Sequence, residues 1–273
     1  MDVGAFFRGR LGPWRTAAIV WLVIAVFLTV MTKPWAGSPD MDPDDVMRLV
    51  QVRDLLAGQA WFDPDQHRGA PAPGFSMHWS RLPDIGPAAL TLAFGVVAPA
   101  ALAERLAVIV WPLLLLGPAL AAVGLIARRL AGARAMAAAM LLFGLGGPAI
   151  WQFFPGRIDH HGLQMLGVLG ALAGVLHLRR SPWAGVAAGL FGAMGLAVGL
   201  EALAFWLLLC GFAGLTLVRD GTRVRAGVAA FGLTTAIAVP ALALAFNPAR
   251  YVLSQACDQT ALGLVKQPAD IGG

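Results

Sequence analysis

Apolar residues come in long runs along this chain, roughly 17–31, 106–126, 135–152, 160–177, 183–199, 202–218 and 226–246, each closed by a short polar or basic stretch. A hydrocarbon layer of about 30 Å takes about 20 helical residues to cross, so the pattern predicts an all-α, polytopic membrane bundle of about seven spans. One region is ambiguous. From residue 86 to 126 the chain is almost continuously apolar, broken by Glu104-Arg105, and counts as one span or two. The basic loops decide. Arg128-Arg129 with Arg134, Arg179-Arg180, and Arg219 with Arg223 and Arg225 all share the N-terminal side only if a single segment crosses there. Residues 106–126 are therefore read as the crossing, and 87–103, with Pro87 and Pro99, as a surface or re-entrant helix.

The chain then divides into an anchor span (1–32), an external loop with amphipathic or re-entrant helices (33–104), a bundle of about six spans (105–246), and the start of a further external segment (247–273) that reads as truncated. Arg8, Arg10 and Arg15 precede the first run, which suits an anchor with a cytoplasmic N-terminus. A cleaved signal peptide is the competing reading, with 36–38 as a weak small-residue site. Either way the loop lies outside, and its excess of acids suits that side. Within it, residues 42–58 read as an amphipathic helix along the membrane surface: Pro43 at its start, acids in the first turn, apolar residues at 46, 49, 50 and 56, and Gly58 as the stop.

Composition narrows the classes. The chain is 58% hydrophobic and 13% charged, with a mean hydropathy of +0.72, which excludes soluble folds. The net charge of +5 and pI near 10.2 come from arginines in short loops between apolar runs, so they set orientation and imply no nucleic-acid partner. Cys210 lies inside an apolar run and Cys257 beyond the last one, an unpromising pair for a disulfide.

With so few ionisable groups, a cluster at a membrane boundary is a functional candidate. Residues 154–164 hold Arg157, Asp159, His160 and His161 between two apolar runs. Asp159 could be a helix cap, but two imidazoles and an arginine go beyond what capping needs. Asp159 and His161 could share one divalent cation where the backbone is not helical. Asp42 reads first as a cap, because Asp-Pro-Asp-Asp is a helix start whatever else it does. Asp63, Asp65 and His67 suggest turn chemistry. Arg68, Arg81 and Trp79 suit either an anionic head group or an interfacial anchor, and Glu201 stands alone at an outer turn, where it could line the mouth of the same cavity.

Two motifs together carry a resemblance. Asp42-Pro43 followed by Arg48 resembles the Asp-Pro-aromatic-aromatic-polar-x-Arg motif in the first external loop of oligosaccharyltransferase catalytic subunits. Gly156-Arg157-Ile158-Asp159-His160-His161 resembles the Asp-His-His form of their second acidic motif in archaeal members. The first follows span one and the second lies between spans three and four, as in that family. The likeness covers about residues 30–165, and the surface helices are similar to those of the wider GT-C glycosyltransferase superfamily. It implies a membrane glycosyltransferase that takes sugar from a polyprenyl-linked phosphate or diphosphate donor on the outer face, with a divalent cation, Mg or Mn, and the low cysteine, high Ala and Gly and Arg-rich cytoplasmic loops suit a bacterial inner membrane. Carried over by position, Asp42 is a metal ligand or the acceptor-facing base, and Asp159 and His161 are metal ligands. Arg68, Arg81, Arg157 and Glu201 are candidates for substrate contact. Asp44 and Asp45 stand where the family has aromatic residues, so Asp42, Asp44 and Asp45 are each candidates for the one catalytic acid. The family's Trp-Trp-Asp acceptor motif is absent, which leaves the acceptor open. The rival is a non-catalytic membrane protein, a transporter or assembly subunit, whose Asp and His residues are caps or a proton relay.

Overall fold

The computed structural model describes residues 12–33, 41–69 and 74–249. Ten α-helices carry the fold among these residues: α1 (Pro13–Thr32), α2 (Pro43–Leu56), α3 (Ile85–Gly95), α4 (Ala100–Ala131), α5 (Ala135–Leu145), α6 (Gly147–Trp151), α7 (His161–Val175), α8 (Pro182–Val198), α9 (Leu203–Asp220) and α10 (Thr222–Phe246). A short hairpin of β1 (Asp65–Gln66) and β2 (Phe75–Ser76) and 3-10 turns at Leu82–Asp84 and Leu200–Ala202 complete it. The N-terminal arginines Arg8 and Arg10, the small-residue site at 36–38, Cys257 and the tail from 250 lie outside the described residues.

The all-α expectation holds, and the chain is a membrane protein by its apolar helices. The span count is coarser than seven. Four helical stretches are long and apolar enough to cross a membrane: Pro13–Thr32, Ala100–Ala131, Leu200–Asp220 and Thr222–Phe246. The other apolar helices are shorter, Ala135–Leu145, His161–Val175 and Pro182–Val198. The run 135–152 is not one helix. It breaks at Gly146, whose neighbours Gly147 and Pro148 open the five-residue α6.

The region around Glu104 also differs from expectation. Residues 87–103 are not one surface helix; α3 ends at Gly95, the chain turns through Pro99, and α4 then runs unbroken for 32 residues past Glu104-Arg105 to Ala131. Within that helix Glu104 is paired across to α2, where Arg53 forks onto it with Nε and Nη2 each 2.7 Å from a carboxylate oxygen.

The core joins α1, α4, α5 and α7 through Leu28, Ile109, Leu116, Leu120, Met136, Met140, Leu163 and Leu166, with Phe153 from the turn between α6 and α7. A second cluster packs α7, α8, α9 and α10 around Ala188 and Phe231. Small residues set the helix spacing there. A Cβ on Gly185 would run into the Gly227 carbonyl, so α8 and α10 approach backbone to backbone. The arginine loops gather at one end, where Arg129 bonds the Leu176 carbonyl at 3.0 Å and Arg179 pairs with Asp220. At the other end the loop after α2 is clamped onto the end of α10: Trp61 donates to the Ala245 carbonyl at 2.7 Å, and the Arg81 N–H to the Phe246 carbonyl at 2.9 Å.

Candidate functional site

Helix α2 starts as Asp-Pro-Asp-Asp dictates. Oδ1 of Asp42 accepts the Asp44 and Asp45 N–H groups at 3.0 and 3.1 Å, and the Asp45 side chain reaches back to the Asp42 N–H at 3.3 Å, a reciprocal cap. Asp42 is thus the cap that its spacing predicts. The same turn aims carboxylates at a second stretch more than a hundred residues away.

That second stretch is residues 152–161. Gly156 takes φ +107, the left-handed region, and its N–H bonds the Val108 carbonyl of α4 at 3.2 Å. The turn therefore hangs from α4. Oδ1 of fully buried Asp45 accepts the N–H groups of both Ile158 and Asp159 at 2.8 Å. Oδ1 of Asp159 accepts the N–H of His161, the first residue of α7, at 3.0 Å.

Each of the three carboxylates thus gives Oδ1 to backbone amides and turns Oδ2 to a common centre, Oδ2 of Asp45 accepting the Asp42 N–H as well. Ligand oxygens of Asp42, Asp45 and Asp159 lie within 4.8 Å of one another. Arg157 fills the space between them. Its Nη1 donates to Oδ2 of Asp45 at 2.8 Å and to Asp42, and its Nη2 donates to Oδ2 of Asp159 at 2.5 Å and to Gln152 at 3.3 Å. Its Nε has no partner. Three carboxylates around one guanidinium leave negative charge over, and the protonation pattern reflects it. Burial, then the neighbouring Asp159 charge, push the Asp45 carboxyl up to about 7 against the pull of its two amide donors. Burial works the same way on Asp159, but its hydrogen bond to His161 and the His161 and Arg157 charges hold it below the usual carboxylate range.

The donor set fits a hard divalent cation. Three carboxylate oxygens, fixed from behind and converging, are the ligands that Mg or Mn takes, with room in their preferences for water and substrate phosphate. His161 joins that set at one remove, its Nδ1 3.0 Å from Oδ2 of Asp159. It stacks on His160, ring centroids 4.2 Å apart, and His160 lies 6.1 Å from Trp79.

The remaining candidates fall in different places. Asp44 is exposed on the first turn of α2 and is not among the three carboxylates that converge. Arg68 is exposed and pairs with Asp54. Arg81 is buried and spent on the fold, bonding Asp84 at 3.1 Å, Gln59 at 2.9 Å and the Asp63 carbonyl at 2.5 Å. Arg48 holds the same Asp84 at 2.8 Å and lies over Trp79, 4.7 Å from the ring centroid. Trp79 is thereby part of the support behind the histidines. Asp63 accepts the Asp65 N–H at 3.1 Å, the turn that its sequence suggests. Glu201 accepts from Gln164 of α7 at 2.9 Å, and both line a cavity of about 230 Å³ that also touches His161 and Gln152.

Sequence reasoning placed Asp45 among three interchangeable acids and did not reach Gln152 or Gln164. No local signal separates Asp45 from Asp44. Only the long-range contact with residues 158 and 159 does.

No protein-family model matches the sequence, and no curated protein matches it. Among solved structures, the chain is similar to the archaeal oligosaccharyltransferase AglB from Archaeoglobus fulgidus, in complex with an inhibitory peptide and a dolichol-phosphate. The TM-score is 0.56 at 15% identity, over 85% of this chain and 33% of that one. The chain spans about a third of that protein's length. At this identity the likeness is one of fold alone.

Proposed function

We propose that the chain is a GT-C-like membrane glycosyltransferase that takes sugar from a polyprenyl-linked phosphate or diphosphate donor on the outer face of a bacterial inner membrane, its N-terminus in the cytoplasm. Asp42, Asp45 and Asp159 hold a divalent cation, Mg or Mn, and His161 supports the set through Asp159. The observation that carries this reading is the three carboxylates, each fixed from behind by a backbone amide and converging at one end of the bundle, in a fold similar to that of an oligosaccharyltransferase. That relative was solved with a dolichol-phosphate, which agrees with a polyprenyl phosphate here.

The chemistry follows from charge. Transfer breaks the bond between the anomeric carbon and the donor's phosphate oxygen as the acceptor's bond forms, so a polyprenyl phosphate or diphosphate leaves, and a cation held by the three carboxylates would neutralise the charge that develops on it. The Arg157 guanidinium, no longer needed to balance all three carboxylates, donates to phosphate oxygens. Asp42 is the most exposed of the trio, at 41% of its side chain, and faces the acceptor, whose attacking group it orients or deprotonates. With Arg81 consumed in a buried network and Arg68 on Asp54, phosphate contact falls to Arg157.

A transporter or assembly factor with capping carboxylates accounts for Asp42 alone. It leaves unexplained the burial of two more acids around an arginine at the bundle's end, away from mid-membrane, where a proton relay belongs. The test is binding of polyprenyl-phosphate hexose to the full-length protein in nanodiscs, with Mn²⁺ and with EDTA. Mn²⁺-dependent binding that Asp159→Ala abolishes is the expected result. Binding indifferent to both changes, or no binding at all, would sink the enzymatic reading.

A further inference from the structure

We infer that the cavity between α7 and the Leu200–Ala202 turn is a sugar-ring subsite, in which Glu201 and Gln164 read hydroxyl groups of a single pyranose unit. The inference rests on the proposed donor chemistry and assigns the part of that donor which this cavity takes.

Four polar side chains, Gln152, His161, Gln164 and Glu201, face it together with Met165, Val168, Ala202 and Phe205. Amide and carboxylate groups at the rim with an aromatic and aliphatic floor suit a ring that offers hydroxyls at its edge and C–H groups on its face. Phosphate is the wrong ligand, because Glu201 would repel it and no arginine lines the cavity. The adjoining void, which shares Val168, Ala202 and Phe205 with the cavity, amounts to about 10 Å³, at the lower limit for one water, so a polyprenyl tail has no way inward through the floor. The volume of about 230 Å³ falls below the roughly 300–1,000 Å³ of drug-sized sites and suits one ring.

Two details indicate a prepared site. The Gln164 amide donates to the Gly199 carbonyl at 3.1 Å as well as to Glu201, which fixes which end of the amide faces the carboxylate. Gly199 lacks the Cβ that would collide with the Glu201 carboxylate, so the acid can fold back over the rim. His161 belongs both to this cavity and, through Asp159, to the carboxylate centre. A ring here therefore lies one side chain from the cation, as a sugar bonded to a metal-held phosphate must.

The experiment compares Mn²⁺-dependent binding of polyprenyl phosphate without sugar and polyprenyl phosphate carrying glucose, mannose or N-acetylglucosamine, each assayed separately. It uses the wild type, Glu201→Ala, Gln164→Leu and Gly199→Ala in nanodiscs. The wild type should bind at least one glycosylated lipid more tightly than the bare one. Glu201→Ala and Gln164→Leu should each remove about tenfold or more of that advantage, Gly199→Ala should remove part of it, and binding of the bare lipid should hold, which also reports that the variants fold. Equal wild-type affinity for all four lipids overturns the subsite and leaves the donor reading standing, as does equal weakening of bare and glycosylated lipids by the variants. Failure of the wild type to bind any of them overturns both.

Discussion

At the scale of single residues, Arg157 and Asp45 make opposite predictions. Arg157 is the counter-ion for two buried carboxylates and one half-exposed one, and breaking a buried pair from one side costs about 3–5 kcal/mol, because the charge left behind has neither partner nor water. Arg157→Ala should therefore lower the thermal unfolding midpoint in detergent with EDTA present, and Mn²⁺ should restore most of the loss. The wild type, with part of that charge already balanced by its guanidinium, should respond less. Asp45→Asn keeps an oxygen for the Ile158 and Asp159 amides but loses its charge. The fold should survive, and Mn²⁺ affinity, followed by titration calorimetry, should fall by more than the roughly 10–100-fold that outer-shell partners cost. Asp44→Asn, exposed and aimed elsewhere, should leave that affinity unchanged. The contrast between 44 and 45 was beyond the reach of the sequence, since both are first-turn acids after the same proline. What separates them is a contact over more than a hundred residues that no local pattern encodes.

At the scale of elements, what was legible followed local rules. The cap, proline and first-turn acids of α2 and the turn at Asp63 are written in neighbouring residues and came out where their chemistry puts them. The start of α4 was not legible, because a Glu-Arg pair in an apolar run reads as a boundary. In the fold Glu104 is neutralised by Arg53 from another helix, and the boundary disappears. That pair is exposed and should contribute little, under about 1 kcal/mol, so Glu104→Gln should shift the unfolding midpoint only slightly. The break at Gly146 was hidden by apolarity, although Gly-Gly-Pro is a breaker in any context. Glycines matter more where helices touch. Gly185→Val would force α8 off α10 at the Gly227 carbonyl, and overpacking of this kind costs about 1–3 kcal/mol. Its expected signature is loss of monodispersity on heating, measured by fluorescence-detected size exclusion.

At the scale of the whole molecule, the ends of the bundle differ in chemistry. Carboxylates, Glu201 and the end of α10 lie at one end, and Arg128, Arg129, Arg179 and Arg180 at the other. Single cysteines at Asp44 and Trp183, both exposed, in a background without Cys210 and Cys257, should label from opposite faces of intact cells, position 44 from outside. Labelling of both from one face would put the carboxylates and the arginine loops in one compartment and end the outward-facing reading.

The unbroken α4 has one more consequence. Gly156 hangs from Val108, about 20 residues before Arg128, which at 1.5 Å per residue is about 30 Å, one hydrocarbon thickness. The helix is a ruler that fixes how far the carboxylate centre stands from the arginine end of the bundle. With the proposed function, a donor carried by lipid presents its phosphate at a height set by the bilayer instead. Turnover in vesicles should therefore peak at one acyl length and fall in thinner and thicker membranes alike, with the membrane itself acting as a selectivity filter.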